Sequence, residues 1–286
     1  MHQEASGILF SQERPLVIAV DTEDAVDFIG YADRDNPALQ AGAGILYPGN
    51  TAGVFLASVA AHALTASAVQ SAAEEKLQTE ANTVLANYAN YLSGIEEGEI
   101  AGVVIKRLGT EETYSFSISS YDDSSARKSW VARVQPTYVM TQDQRQIMLR
   151  ATIHLSKSET PEQIAYQNII DVVSPVTQAS VPMYYWLQQD ELRKIAESLL
   201  YLSLRWMITD IMDGQKVSAS KQETFQYAFG GENFYERGHL LARDCDYTAT
   251  RNLRGWIRVF PASPSEECQP EALDLGTQCD EECDAP

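Results

Sequence analysis

Residues 130–155 read WVARVQPTYVMTQDQRQIMLRATIHL. Two flanks with a period of two surround the polar centre Gln142-Asp143-Gln144-Arg145. That pattern predicts an antiparallel hairpin of strands Trp130–Thr141 and Gln146–Leu155. Pro136 has no backbone N–H to give to a ladder, so its position inside the first flank predicts a sheet edge or a bulge. Immediately downstream, Ile164, Tyr166, Asn168 and Ile170 share one face of a further strand, Ile164–Val173, which Pro175 closes.

Working outward toward the C-terminus, the period changes. From about Asp190 to Asp213, Leu192, Ile195, Leu199, Leu202 and Trp206 fall on one helical stripe, which Leu200, Leu204, Met207 and Ile211 widen. A helix this apolar must be largely covered, and Gly214 ends it. Thr224–Phe229, Asn233–Cys245 and Tyr247–Phe260 then read as strands, with Gly230-Gly231 as the turn between the first two. Beyond Pro261 the chain carries eight carboxylates and no basic residue.

Toward the N-terminus, Pro15–Val20 is a short apolar, β-branched run that reads as a buried strand. No Asp, Glu, Lys or Arg occurs from Asn36 to Ala73. The Gly- and Pro-rich part through Asn50 reads as a loop. From Thr51 a helix is expected to continue to about Leu92, capped by Asn50 or Thr51 and ended by Gly94. Its second half carries the stripe Leu77, Ala81, Val84, Leu85, Tyr88 and Leu92. In its first half, Gly53, Ala57 and Ala61 lie along one face, where small side chains let another backbone come close. Residues 52–73 are long enough to span a bilayer. Ser58, His62, Thr65, Ser67, Gln70 and Ser71 dilute that stretch, and a buried helix is the expected state. Val103–Leu108 and Thr113–Ser119 read as a second hairpin turning at Gly109.

These elements predict an α+β fold, a mostly antiparallel sheet or sheets with two long helices packed against them. A single globular domain over 1–260 is expected, with two helix-plus-strands halves, 1–175 and 176–260, as the variant division. Residues 261–286 form an acidic, cysteine-containing tail. The 286 residues are 44% hydrophobic, enough for a sizeable core.

Forty acidic residues against 21 Lys and Arg give a formal charge of −19. Such a surface repels phosphate backbones and anionic lipids, so no nucleic-acid partner is expected. Residues 1–15 lack the apolar core of a signal peptide. The cysteines are Cys245, Cys268, Cys279 and Cys283. They allow two disulfides in three connectivities, or free thiols. Disulfides would place the chain in an oxidising compartment, exported to the periplasm or cell envelope. A cytoplasmic location is the alternative. Cys279-x3-Cys283 lacks the usual C-x2-C knuckle spacing, and no metal or cofactor is expected.

The chain lacks a nucleophile elbow, a Walker loop, a dinucleotide glycine fingerprint and a zinc-protease helix. Val17–Asp21 followed by Thr22-Glu23 resembles phosphotransferases that place an aspartate nucleophile after an apolar strand. That resemblance implies a second carboxylate two residues on to hold magnesium. Glu23 stands where the pattern prefers Asp, and the later lysine and acidic pair are not found. Ser125–Lys128 and Ser218–Lys221 fall in connecting segments that do not enforce nucleophile geometry. His2, His62, His154 and His239 have no helical metal spacing, and His62 in the uncharged helix is expected to be a core histidine.

Arg237, Arg243, Arg251, Arg254 and Arg258 cluster in an otherwise acidic chain. Arg243 and Arg251 would form an anion site if they faced each other across a hairpin. Period-two counting places Arg254 and Arg258 on one strand face. Pairing with nearby acids such as Glu236, Asp244 or Asp246 is the plainer expectation. The functional expectation is a non-catalytic structural or interaction protein of the bacterial cell envelope, with a protein partner or homo-oligomeric state. The alternatives are a hydrolase with a carboxylate site at Asp21 and Glu23, and a membrane-active oligomer using residues 52–73.

Overall fold

The computed structural model describes residues 16–20, 25–32, 75–111, 116–120, 129–213 and 221–262. The uncharged helix half with Gly53, Ala57 and Ala61 lies outside them. So do Asp21, Glu23, His2, His62, Cys268, Cys279, Cys283 and the Ser-x-x-Lys serines.

The fold is α+β, built on one mixed, mostly antiparallel sheet. Its strands are β1 (Leu16–Val20), β2 (Phe28–Gly30), β3 (Phe116–Ser120), β4 (Trp130–Met140), β5 (Ile147–Lys157), β6 (Thr160–Val173), β7 (Gln222–Phe229), β8 (Glu232–Arg243), β9 (Tyr247–Asn252) and β10 (Ile257–Pro261). The order is β3-β1-β4-β5-β6-β10-β9-β8-β7, and β2 also pairs with β4. The 130–155 hairpin forms as its pattern predicts, with Met140 opposite Ile147. The two halves of the chain meet where β10 pairs with β6 in parallel.

Pro136 lies inside the sheet, not at its outer edge, and the reason is geometric. β1 pairs with β4 only from Trp130 to Arg133, and β2 resumes at Tyr138. The Tyr138 N–H points to that side, donating to the Asp27 carbonyl at 2.8 Å. Pro136 has the same parity as Tyr138, so its missing N–H falls in the gap between β1 and β2. The side facing β5 stays in register, with Pro136 opposite Ala151.

Helical elements are α1 (Ala89–Leu92), α2 (Glu97–Glu111), α3 (Pro182–Leu187) and α4 (Glu191–Asp213). Helix also runs over residues 75–81, tightens to a 3-10 turn at Asn82–Tyr88 and continues into α1. The chain turns at Ser93 and Gly94, as expected. Ala81, Val84 and Tyr88 of the predicted stripe are buried.

α2 corrects one prediction. Residues 103–108 form no strand. Ile100, Ala101, Val104, Ile105 and Leu108 are buried at helical spacing, whereas Val103 is 45% exposed. The β-branched run Val103-Val104-Ile105 imitated a strand, but burial follows the 3.6-residue period. The following strand, β3, pairs in parallel with β1 and makes no hairpin. A second correction concerns Tyr247–Phe260, which folds as two strands. Gly255, at φ +88°, turns the chain between β9 and β10.

α2 and α4 pack together on one face of the sheet. The main core there includes Leu149, Ile153, Ile170, Val259, Leu199, Leu204 and Met207. A smaller core occupies the other face, formed by Val139, Met148, Val173, Phe225, Tyr227, Phe229 and Phe260. β7, the last strand in the order, therefore packs back over β4 and β5, and the sheet coils on itself. The tip of the β7–β8 hairpin is a two-residue turn with positive φ at both Gly230 and Gly231, as the sequence predicts.

Candidate functional site

The four arginines Arg243, Arg251, Arg254 and Arg258 lie on three strands and one turn. Arg243 stands opposite Thr248, and Arg251 opposite His239, so these two do not face each other. Arg251 reaches the helix-covered face of the sheet. Arg258 projects from the other face. Arg254 belongs to the β9–β10 turn and shares no strand face with Arg258, because the segment is not one continuous strand.

On the helix-covered face, Asp210 of α4 is almost fully buried. It accepts hydrogen bonds from Tyr166 Oη at 2.8 Å and Asn168 Nδ2 at 3.0 Å, and it pairs with Arg251. Burial first, and the adjacent Asp210 carboxylate second, hold the Tyr166 hydroxyl well above its ordinary pKa. This cluster ties α4 to β6 and β9 at once.

On the opposite face, Asp171 of β6 takes both forks of Arg150, at 2.8 and 3.0 Å, and one nitrogen of Arg258 at 3.0 Å. Its side chain is 1% exposed. The Asp171 hydrogen bonds raise the Arg150 pKa further. Arg258 also meets the Tyr227 hydroxyl and pairs with Glu236 at 3.1 Å. Burial pushes the Tyr227 pKa up to about 12, with Arg258 opposing. Glu236 in turn accepts from Asn252 Nδ2 at 2.8 Å. The Asn252 side-chain oxygen receives the backbone N–H groups of Arg254 and Trp256 at 2.9 and 3.0 Å. Arg150 and Arg254 both lie near the Trp256 ring, 5.9 and 5.3 Å from its centre.

A third feature sits beside the β4–β5 turn. The segment after β6 exposes Val176, Val181, Tyr184 and Tyr185, the last two at 60% and 38%. Its backbone is tied down. Thr177 N–H donates to the Arg145 carbonyl at 2.9 Å, and buried Trp186 donates its indole N–H to the Gln144 carbonyl at 2.6 Å. Tyr88 Oη donates to the Gln144 side chain at 2.7 Å, and Tyr91 Oη to Asp190 at 3.1 Å. Among the described residues, the non-glycine residues with positive φ are Gln144, Gln189 and Asp190. All three belong to this one corner. A left-handed non-glycine residue costs about 1–2 kcal/mol. Such strain persists only where the surroundings impose it.

The sequence reading missed Arg150, Asp171, Asp210, Trp256 and the tyrosine ridge. A signal for the two acids was present. Asp171 interrupts Ile169-Ile170-Asp171-Val172-Val173, and Asp210 lies between Ile208 and Ile211. A lone carboxylate in an apolar run has to find a cationic partner.

Cys245 is exposed at the β8–β9 turn, and no disulfide is seen among the described residues. Among them no group of three His, Cys, Asp or Glu side chains could hold a metal ion, and no helix is long and apolar enough to cross a membrane. The fold and these clusters define a protein of the α+β class with a coiled mixed sheet. Compared with protein-family models, curated proteins and solved structures, the chain matches none.

Proposed function

We propose that this chain is a non-catalytic interaction protein that engages a protein partner through the ridge Val176, Val181, Tyr184 and Tyr185. The observation that carries the reading is the exposure of these side chains on a backbone fixed by Trp186, Gln144 and Asp190. Exposed tyrosines on a rigid support give large contact area with little ordering cost, and aromatic residues are enriched where binding energy concentrates. The buried acids Asp171 and Asp210, by contrast, are committed to their arginines and hold the fold.

The proposed compartment is the cell envelope, supported by the four cysteines in an otherwise motif-poor chain. Alkylation of never-reduced protein from its native source tests that point, and uptake of four labels would remove it. The partner is tested by a photo-crosslinking residue placed at Tyr184 in the native cell, with the same probe at Tyr235, 68% exposed on β8, as control. A discrete adduct at 184 and none at 235 supports the ridge as the interface. A second copy of the chain in that adduct would make the protein a homo-oligomer. No adduct at 184, or equal capture at both positions, rejects the ridge.

A further inference from the structure

We propose that the β9–β10 turn is an anion-recognition site, in which Arg254 and Arg150 beside Trp256 take a small ligand through its carboxylate or phosphate group. A circuit of hydrogen bonds, one ion pair and one ring contact closes around Trp256. Arg150 binds Asp171, Asp171 binds Arg258, Arg258 pairs with Glu236, and Glu236 accepts from Asn252. Asn252 then holds the backbone of Arg254 and Trp256, and the indole returns to Arg150.

Every member of this circuit is pinned, yet two sets of donors are left over. Arg150 spends Nε and one Nη on Asp171, and its other Nη meets no acceptor among the described residues. The Arg254 side chain is exposed and has no hydrogen-bond or ion-pair partner among them. Both carboxylates in the circuit are already consumed by Arg150 and Arg258. Three guanidinium groups therefore stand against two carboxylates, in a chain whose formal charge is −19. A local excess of positive charge on so acidic a protein is the reverse of the surrounding field.

The chemistry of the leftover donors names the ligand class. A guanidinium fork matches the paired oxygens of a carboxylate or phosphate, and the aromatic ring holds the cation in place. Arg150 is fixed by its bidentate bond, and the turn is fixed by Asn252. Binding therefore orders only the Arg254 side chain, which keeps the entropic cost low.

The test uses the full chain at constant ionic strength, titrated separately with inorganic phosphate and with succinate. Binding is followed by calorimetry and by tryptophan fluorescence, with Trp256→Phe as the optical blank. Saturable binding in either arm is expected, with the fluorescence change absent from Trp256→Phe. The arm that saturates at lower concentration says whether the tetrahedral or the planar oxyanion fits. Arg254→Gln should weaken that binding by about tenfold, the loss of one charge-assisted contact. Arg254→Lys, which keeps the charge but not the fork, should fall between, and it serves alone should the Gln variant not fold. Absence of saturation with both anions overturns the site, as does wild-type affinity in the Arg254 variant tested.

Discussion

Asp171 and Asp210 are placed where an isolated carboxylate would be too costly to keep charged. An unpaired buried charge costs several kcal/mol, and the protein offsets this by surrounding each acid with donors. Asp210 has a tyrosine, an asparagine and an arginine, and Asp171 has two arginines. The net worth of such a pair differs from the cost of breaking it. Asp210→Asn leaves Arg251 as a buried cation with a weakened partner, and it should lower unfolding stability by about 3–5 kcal/mol. Asp210→Leu combined with Arg251→Met removes both charges and should recover most of that loss. Urea unfolding of the three proteins decides the matter. A single variant within about 0.5 kcal/mol of wild type would mean that the cluster does not hold α4 to the sheet. At this scale the arginines were visible in the sequence as a local excess of one type. Their pairing was not, because Asp171 and Asp210 lie on β6 and α4, 87 and 41 residues from Arg258 and Arg251. No local pattern encodes a contact at that separation.

Elements were legible where one period ran long enough to exclude the other. The 130–155 hairpin and α4 each offered ten or more residues of consistent pattern, and both formed. α2 was misread because its sequence carries three consecutive β-branched positions, Val103 to Ile105, and a short apolar run does not separate strand from buried helix. The β9–β10 turn was missed because Leu253-Arg254-Gly255-Trp256 has one glycine, and Leu253 and Trp256 carry the apolar pattern to either side of it. Gly30 shows how one position sets the seating of a whole element. It lies in β2 directly beneath the helical segment. Its N–H donates to Asn82 Oδ1 at 2.9 Å, and its carbonyl accepts from Gln78 Nε2 at 2.9 Å. A Cβ at this position would collide with the Ala81 backbone carbonyl, which cannot swing away as a flexible side chain would. Gly30→Ala should therefore lift the segment from the sheet and cost about 1–3 kcal/mol. Hydrogen exchange is the direct measurement. Amides of residues 82–92 should lose protection while those of β5 keep it. Unchanged protection at 82–92 would show that the helix does not depend on this close approach.

Across the whole molecule, the feature that no local pattern announced is the coiling of the sheet. Period-two alternation tells which residues share a face, but not that β7, the last strand in the order, returns to cover β4 and β5. Gln146 is the residue that fastens this closure. It is buried at 3% exposure, immediately before β5. Its Nε2 donates to the carbonyls of Ser174 and Ala228 at 3.2 and 3.3 Å, and its Oε1 accepts the Gly230 N–H at 3.2 Å. One side chain thus links the ends of β6 and β7 with the tip of the β7–β8 hairpin. Next to it Tyr31 meets Phe229 edge to face, with ring centres 5.1 Å apart. Gln146→Ala leaves those backbone groups without their partner in an apolar setting, at about 1–3 kcal/mol for each one that water does not reach. Two energies then compete. The aromatic contacts of Phe225, Tyr227 and Phe229 favour a closed sheet, and the unsatisfied backbone groups favour an open one that admits water. If the second is larger, the amides of β7 and β8 in the variant exchange well before those of β4 and β5, and hairpin opening separates from global unfolding. If both pairs of strands lose protection together, the aromatic contacts alone keep the sheet coiled, and Gln146 contributes stability without deciding the closure.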